Sequence, residues 1–374
     1  MGLLFRYAPF SCMILLFGLV LAGCQKREPF KIGFVGGLTG RNGDLGTAGR
    51  DGAQLAVDAI NAAGGVNGRT FELLVRDDKS DPELAKRAVK ELVDARVVTI
   101  VGPMTSAMAA ATLPIIDAAR LLMLSPTVSG SGKDFTARDD YFFRLILNSD
   151  TAKAAAERMV SVLGIRNVAV IYDISNKSFS TSLVEAFKTR FLSLGGAVVV
   201  ERTFDGKEKP DLMAVARTLS GPGVQGILLV AGAVDSAMIC QQLKKLGSSV
   251  PVFIVEWGGT NELIKAGGNA VDGIYVYQHF NSDSAAPAFI AFREAYAKRF
   301  GDMPSFAATY SHEAVTIIGD ALKKNPDVSK IKETIIGIRR FSGLQGDIAL
   351  DRFGDPQRSF SLMQVRDGRF VRME

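Results

Sequence analysis

Histidine, tryptophan and cysteine are scarce in this chain: two, one and three among 374 residues. His279 and His312 form no zinc-spaced cluster with Cys12, Cys24 or Cys240, so neither a metal nor another cofactor is expected. The loops that hold nucleotides are also missing. "GGLTGRNG" is not Gly-x-Gly-x-x-Gly, and no Gly-Lys-Ser/Thr phosphate loop exists. Without a Gly-x-Ser-x-Gly elbow, or a histidine in a loop beside a Ser or Cys nucleophile, a hydrolase lacks its parts. The 44 Lys and Arg against 39 Asp and Glu are scattered, which reads as a solvated surface and excludes a nucleic-acid-binding face. Long apolar runs are absent too. The one near the N-terminus, Cys12 to Val20, falls short of the roughly 20 residues a membrane-spanning helix needs.

What remains is the composition of a folded protein, 47% hydrophobic and 22% charged, at a length that suits about two domains. From Phe30 onward strand and helix signals alternate. "KIGFV", "TFELLVRDD", "VVTIVG" and "LLMLSP" read as strands. "RDGAQLAVDAINAAGG", "SDPELAKRAVKELVDA" and "SAMAAATLPIIDAA", the last interrupted by Pro114, read as helices. A second series repeats the pattern. Its strands are "NVAVIYD", "AVVVERTF", "GILLVAG", "VPVFIVE" and "DGIYVYQ"; its helices are "LVEAFKTRFLSLG", "DLMAVARTLSG", "DSAMICQQLKKLG" and "ELIKAGG". Such alternation means right-handed crossovers and parallel sheets covered by helices. Two series predict two doubly wound lobes. The tail differs: "IALD" and "SFSLMQVRDGRFVRM" read as short strands, with Asp367-Gly368 as a hairpin turn.

Open parallel sheets bind ligands beyond the carboxyl ends of their strands. Six segments follow those ends: "GGLTGRNGDLG", "GPMTSAM" and "SPTVSGSG" in the first series, "DISNKSFS", "GAVDSA" and "EWGGTN" in the second. They carry Ser, Thr and Gly, the acids Asp235 and Glu256, and the aromatics Phe179 and Trp257. That inventory suits a small polar ligand with an apolar part.

Two resemblances extend this reading. Arg6, the apolar run and Leu21-Ala22-Gly23-Cys24 are similar to a bacterial lipoprotein signal, in which Cys24 becomes the lipid-bearing N-terminus. Cys12 leaves with such a signal, and Cys240 then has no partner for a disulfide. The rest of the chain, from about Phe30, resembles the Leu/Ile/Val-binding type of solute receptor of bacterial ABC transporters. The segments that carry the likeness, in order and spacing, include "INAAGGVNGR", "IVGPMTS", "LLMLSPTVSG", "PSFAATYSHEA" and "GDIALDRFGD".

That resemblance implies the type I periplasmic-binding-protein clamshell, an α/β fold of two doubly wound lobes. Crossings near Asn148, Phe280 and Gly346 would give lobe one from 30–147 plus 281–346 and lobe two from 148–280 plus 347–374, behind a signal peptide (1–23) and a tether (24–29). It implies a monomeric receptor, not an enzyme, held by lipid outside a bacterial membrane and handing an amino acid to ABC permease subunits. A receptor for an aromatic or other small carboxylate, or a sensor of the same fold, is the alternative.

Residue by residue, the resemblance offers Ser106 to a ligand carboxylate at a helix start, where free N–H groups favour an anion; Ser106 also reads as a helix cap. The main-chain carbonyl of Thr127 would meet an ammonium and the hydroxyl of Ser129 the carboxylate. Glu256 is the first choice for the ammonium and Asp235 the second, the latter reading equally as a cap. Leu45, Phe179 and Trp257 stand where the side-chain pocket is expected, though large apolar residues are more often core. As ligand contacts they would make a pocket larger than one fitted to leucine.

Overall fold

The structure, a computed structural model, describes residues 27–40, 43–131, 135, 137–208 and 210–373. The signal-like segment and Cys24 lie outside the described residues.

The first lobe is built on a parallel sheet of β1 (Phe30–Gly36), β2 (Phe71–Asp77), β3 (Thr99–Val101), β4 (Met123–Ser125) and β5 (Phe142–Arg144), in the order β2-β1-β3-β4-β5. Its connecting helices are α1 (Gly43–Ala62), α2 (Pro82–Asp94) and α3 (Ser106–Ala119). Asp81 caps the start of α2, its side chain accepting from the N–H groups of Glu83 and Leu84. α3 runs unbroken through Pro114, contrary to the expected interruption.

The chain then enters α4 (Ser149–Glu157), which continues into a π-helical turn (Arg158–Val162), and builds a second sheet. Its strands are β6 (Asn167–Asp173), β7 (Ala197–Phe204), β8 (Gly226–Val230), β9 (Val252–Val255) and β10 (Tyr275–Gln278), separated by α5 (Lys177–Ser193), α6 (Leu212–Leu219), α7 (Ala233–Lys245) and α8 (Asn261–Gly267). These five strands are parallel, in the order β7-β6-β8-β9-β10.

After Gln278 the chain returns to the first lobe. Where the sequence pattern predicts no element, between 281 and 346, helices α9 (Pro287–Phe300), α10 (Phe306–Lys324) and α11 (Ile331–Ile338) fill most of the stretch, and α10 packs along α1. One glycine permits that contact, and another lets α1 start against the segment that follows β1. A Cβ on Gly52 would run into the carbonyl of Ala308 on α10, and one on Gly46 into the carbonyl of Gly37. Close approach at these points lets the helix begin at Gly43, so Leu45 lies in a first helical turn and not in the expected loop.

A three-stranded antiparallel sheet of β11 (Arg340–Ser342), β12 (Asp347–Leu350) and β13 (Pro356–Gln357) follows. It spans the expected crossing at Gly346 and keeps 347–357 against the first lobe: the Arg144 N–H donates to the Gly354 carbonyl at 3.1 Å, and the Arg144 guanidinium pairs with Asp355 at 2.6 Å. The last passage to the second sheet comes just after, into β14 (Ser361–Arg366) and β15 (Arg369–Arg372), which add as antiparallel edge strands. The turn between them is the expected hairpin, with positive φ at Asp367 (49°) and Gly368 (71°).

Both sheets are apolar on two faces, as buried parallel strands must be. In β8, Leu228 and Val230 join a cluster that runs on through both lobes, while Ile227 and Leu229 join one under the opposite face. The first sheet alternates likewise, Phe34 into the shared cluster and Val35 into its own. Among the described residues no helix is long and apolar enough to cross a membrane.

Candidate functional site

In a parallel sheet ordered β2-β1-β3, the winding reverses at β1, with connections leaving on opposite sides, which opens a crevice at the carboxyl ends of β1 and β3. The second sheet repeats this between β6 and β8. The carboxyl ends of the two sheets face each other across a cavity of about 20 Å³, room for about one water molecule and far below the range for small-molecule sites. Seven of the eight expected residues line it: Leu45, Ser106, Thr127, Ser129, Phe179, Glu256 and Trp257. Asp235 does not. Helix α7 begins at Ala233 with Gly232 as its cap, so Asp235 sits buried in the first turn, neither the cap nor a wall of the cavity.

The first lobe supplies small hydroxyls. Thr105 occupies the cap position of α3 without a side-chain cap bond, which makes Ser106 the first helical residue. The Ser106 hydroxyl oxygen accepts from the Gly130 N–H at 3.1 Å, and that of Ser129 accepts from Asn148 Nδ2 at 3.0 Å. Neither hydroxyl donates to a described residue, so both protons remain available. Thr127 differs: its hydroxyl donates to the Met104 carbonyl at 2.7 Å, which leaves its main chain for any ligand contact. The loop carrying these groups is held from behind, where the buried Arg144 guanidinium grips the carbonyl of Gly130 and meets that of Phe135 at 3.3 Å.

The second lobe supplies one charge. Glu256 begins a 3₁₀ turn (Glu256–Gly258) after β9 and is 1% exposed. Its Oε1 accepts from the main-chain N–H of His279 at 3.0 Å and from the Tyr310 hydroxyl at 3.3 Å; its Oε2 lies 2.8 Å from His279 Nδ1. Three donors thus hold a carboxylate in a nearly dry site. Tyr310 sits on α10 of the first lobe, so its bond to Glu256 crosses between the lobes. Burial, and then the charge of Glu256, push the phenol well above its ordinary pKa and keep it a donor. Over its ring, at 4.4 Å, lies the guanidinium of Arg358. Burial alone would lower the pKa of Arg358; Glu313, at 2.9 Å, reverses this and raises it.

Apolar side chains close the cavity. Phe179 and Trp257 meet edge to face at 5.8 Å, and Leu45, Met104, Ile146 and Phe306 complete the wall. Phe179 lies in the first turn of α5, one turn deeper than the loop expected for it. Both aromatics serve core and wall together. They fill space, so the volume gives no support to a pocket larger than one fitted to leucine.

Both rims are bridged. On one side Asn176 Oδ1 accepts from the Ala107 N–H of α3 at 3.0 Å, so the cap that Thr105 does not provide comes from the other lobe. Ser182 Oγ takes the Ser131 N–H beside it at 3.1 Å. On the other side Thr260 donates to Asp44 at 2.9 Å, Asn261 Nδ2 to the Met303 carbonyl at 3.0 Å, and Lys265 pairs with Asp302 at 2.5 Å. Burial raises the pKa of Asp44. The lobes are closed on each other. Among the described residues no group of His, Cys, Asp and Glu has the arrangement of a metal site. The sequence reading missed Asn148, Asn176, His279 and Tyr310. Asn148 and Asn176 also lie just past strand ends; the link of His279 and Tyr310 to Glu256 has no sequence signal.

Residues 29–369 match the family profile described as periplasmic binding protein. The leucine-, isoleucine-, valine-, threonine-, and alanine-binding protein of Pseudomonas aeruginosa is 25% identical over 334 residues, which cover 88% of this chain and 87% of that protein. The branched-chain amino acid transporter substrate binding protein LivJ of Streptococcus pneumoniae, solved in complex with isoleucine, superposes with a TM-score of 0.84 at 24% identity, covering 92% of this chain and all (100%) of that one. A solute binding protein of an ABC transporter from R. palustris, solved in complex with benzoate, gives a TM-score of 0.84 at 19% identity and covers 92% and 95%. The two structural likenesses establish the fold.

Proposed function

The chain belongs to the periplasmic binding protein family, and on that premise we propose that it is an extracytoplasmic receptor that takes an apolar amino acid between its lobes and delivers it to an ABC permease. The observation that carries the ligand class is Glu256. It is a buried carboxylate with one acceptor position to spare, the one charged group among the described residues lining the cavity, opposite two serine hydroxyls, that of Ser106 at a helix start. A free amino acid presents an anion to the serines, a cation to Glu256 and a side chain to Phe179 and Trp257. An aromatic carboxylate would satisfy the first lobe and press apolar surface on the Glu256 charge, which is costly in a dry site. Binding stabilises the closed form, whose shape the permease would read. The receptor acts by binding, without chemistry on the ligand. In this reading the lobes comprise 30–147 with 281–357, and 148–280 with 361–372; the molecule works as a monomer, tethered by lipid at Cys24.

A thermal-shift screen tests the reading. L-Leucine, L-isoleucine and L-valine at about 100 times Kd should each stabilise the protein by roughly 2.7 kcal/mol. Stabilisation by benzoate with none from amino acids would replace this reading with that of a carboxylate receptor.

A further inference from the structure

We propose that Asn148 is a ligand-contacting residue whose Oδ1 accepts a hydrogen bond from the ligand ammonium beside Glu256; the inference rests on the amino-acid reading above. Asn148 lies where the chain leaves the first sheet, four residues past β5, at the cap position of α4. Asparagine there ordinarily accepts from the next turn. This one makes no such bond. Its side chain turns into the cavity wall instead, with the residue 3% exposed. Nδ2 donates to Ser129, and Oδ1 has no hydrogen-bond partner among the described residues. Native folds rarely keep a buried amide oxygen unpaired without a use.

The donor count points to what that use is. A primary ammonium brings three N–H donors. A carboxylate has about four acceptor positions, and Glu256 has given three of them to the His279 N–H, His279 Nδ1 and the Tyr310 hydroxyl. One remains for the ligand. The Thr127 carbonyl can take a second N–H, as the family resemblance implies, and Asn148 Oδ1 supplies the third acceptor. The orientation of the amide also fits the other end of the ligand. With Nδ2 on the Ser129 oxygen, the Ser129 proton is left to donate to the carboxylate. A reversed amide would consume that proton and offer N–H to the carboxylate in its place. The two orientations make opposite statements about which ligand charge Asn148 reads.

Calorimetric titration with L-leucine and with 4-methylpentanoate, its counterpart without the amine, separates them. Asn148→Ala should weaken leucine binding about tenfold more than 4-methylpentanoate binding, the scale of one hydrogen bond to a charged group. Asn148→Asp keeps the acceptor and adds charge, so the preference for leucine should widen. Ser129→Ala removes the carboxylate contact and the Asn148–Ser129 bond together, and should weaken both probes alike. Melting temperatures of the four proteins show that each is folded. If Asn148→Ala weakens both probes equally, as Ser129→Ala does, or neither, the assignment is wrong while the amino-acid reading stands. If the unsubstituted protein binds neither probe, or both equally, the amino-acid reading fails and takes this inference with it.

Discussion

Replacing Glu256 by glutamine removes one charge and almost no volume, and the surroundings decide what that does. In the free protein the effect should be small. The glutamine oxygen can keep the His279 N–H and the Tyr310 hydroxyl, which both lie on the Oε1 side. The new NH2 then meets His279 Nδ1, where a carboxylate oxygen had been. Neutral imidazole can hold its proton on either nitrogen, so Nδ1 can accept in place of donating. The loss should be of the order of one ordinary hydrogen bond, about 1 kcal/mol. The bound state is different. The position left for the ligand ammonium becomes an N–H, so donor faces donor, and the charge that balanced the ammonium is gone. Truncating one side of a buried charged pair costs about 2–5 kcal/mol, roughly thirtyfold to several thousandfold in Kd. A ligand with no amine meets a milder wall than before, and its affinity should hold or rise. Calorimetry with L-leucine and 4-methylpentanoate, alongside urea melts of both proteins, reads the two effects separately. A leucine Kd within about threefold of the unsubstituted value in a folded Glu256→Gln protein would refute the assignment of Glu256 to the ammonium.

Other expectations follow from different parts of the molecule. Asn176→Ala removes the cap that the second lobe places on α3; a cap is worth about 0.5–2 kcal/mol, so leucine affinity should fall about two- to thirtyfold. Small-angle scattering should also show a larger radius of gyration for the free variant, and unchanged size and affinity would mean that the contact does not bias closure. Burial holds Asp78 up at about 6 and His312 down at about 4. A raised carboxylate loses its stabilisation as pH climbs through its folded pKa, whereas a lowered imidazole loses stability as pH falls from about 6.5 toward 4. Relative to the unsubstituted protein, Asp78→Asn should therefore make stability rise more steeply between pH 4 and 6.5, and His312→Phe should tilt it toward a fall. Each change is about 3 kcal/mol over that window, and parallel urea-melt profiles would contradict both. Finally, Cys24→Ser should leave the protein out of the detergent phase in Triton X-114 partition; unchanged partition of the variant would dispose of the lipid anchor.

The doubly wound halves were legible because parallel strands covered on both faces read as short apolar runs, as in "NVAVIYD" and "GILLV". Helix α10 was not, because it is buried nearly all round: Ala307, Tyr310, Val315, Ile317 and Leu322 leave no polar face to mark a period. Helix α9 could have been read, since Phe289, Phe292 and Tyr296 fall on one stripe. The rule that ligands gather at carboxyl ends of strands located the cavity, yet it could not choose between Glu256 and Asp235. Both acids follow neighbouring strands. A helix that starts at once after β8 turns Asp235 into its own first turn, whereas a 3₁₀ turn after β9 delivers Glu256 to the cavity. Asn148 was legible as a crossing and not as a cavity residue, because β5 pairs over only three residues. The apolar "LIL" that follows hides where the strand stops.

The groups that would hold the ligand amine sit at the crossings between lobes, and this bears on how binding becomes closure. Asn148 stands at the first passage, and His279, which holds Glu256 through both its ring and its main chain, stands at the second. The serines belong to the first lobe and Glu256 to the second. A ligand shifts an equilibrium between open and closed forms only by its difference in affinity for the two. A carboxylate alone can make all of its bonds to the first lobe in either form, so it should bind without favouring closure by much. An amino acid adds a bond to Glu256 that exists only when the lobes meet. It adds that bond beside the Tyr310–Glu256 contact, which likewise spans the lobes. Selectivity should therefore appear more sharply in compaction than in occupancy, because Phe179 and Trp257 of the second lobe meet the side chain of either ligand alike, and the amine is the polar group that this lobe reads.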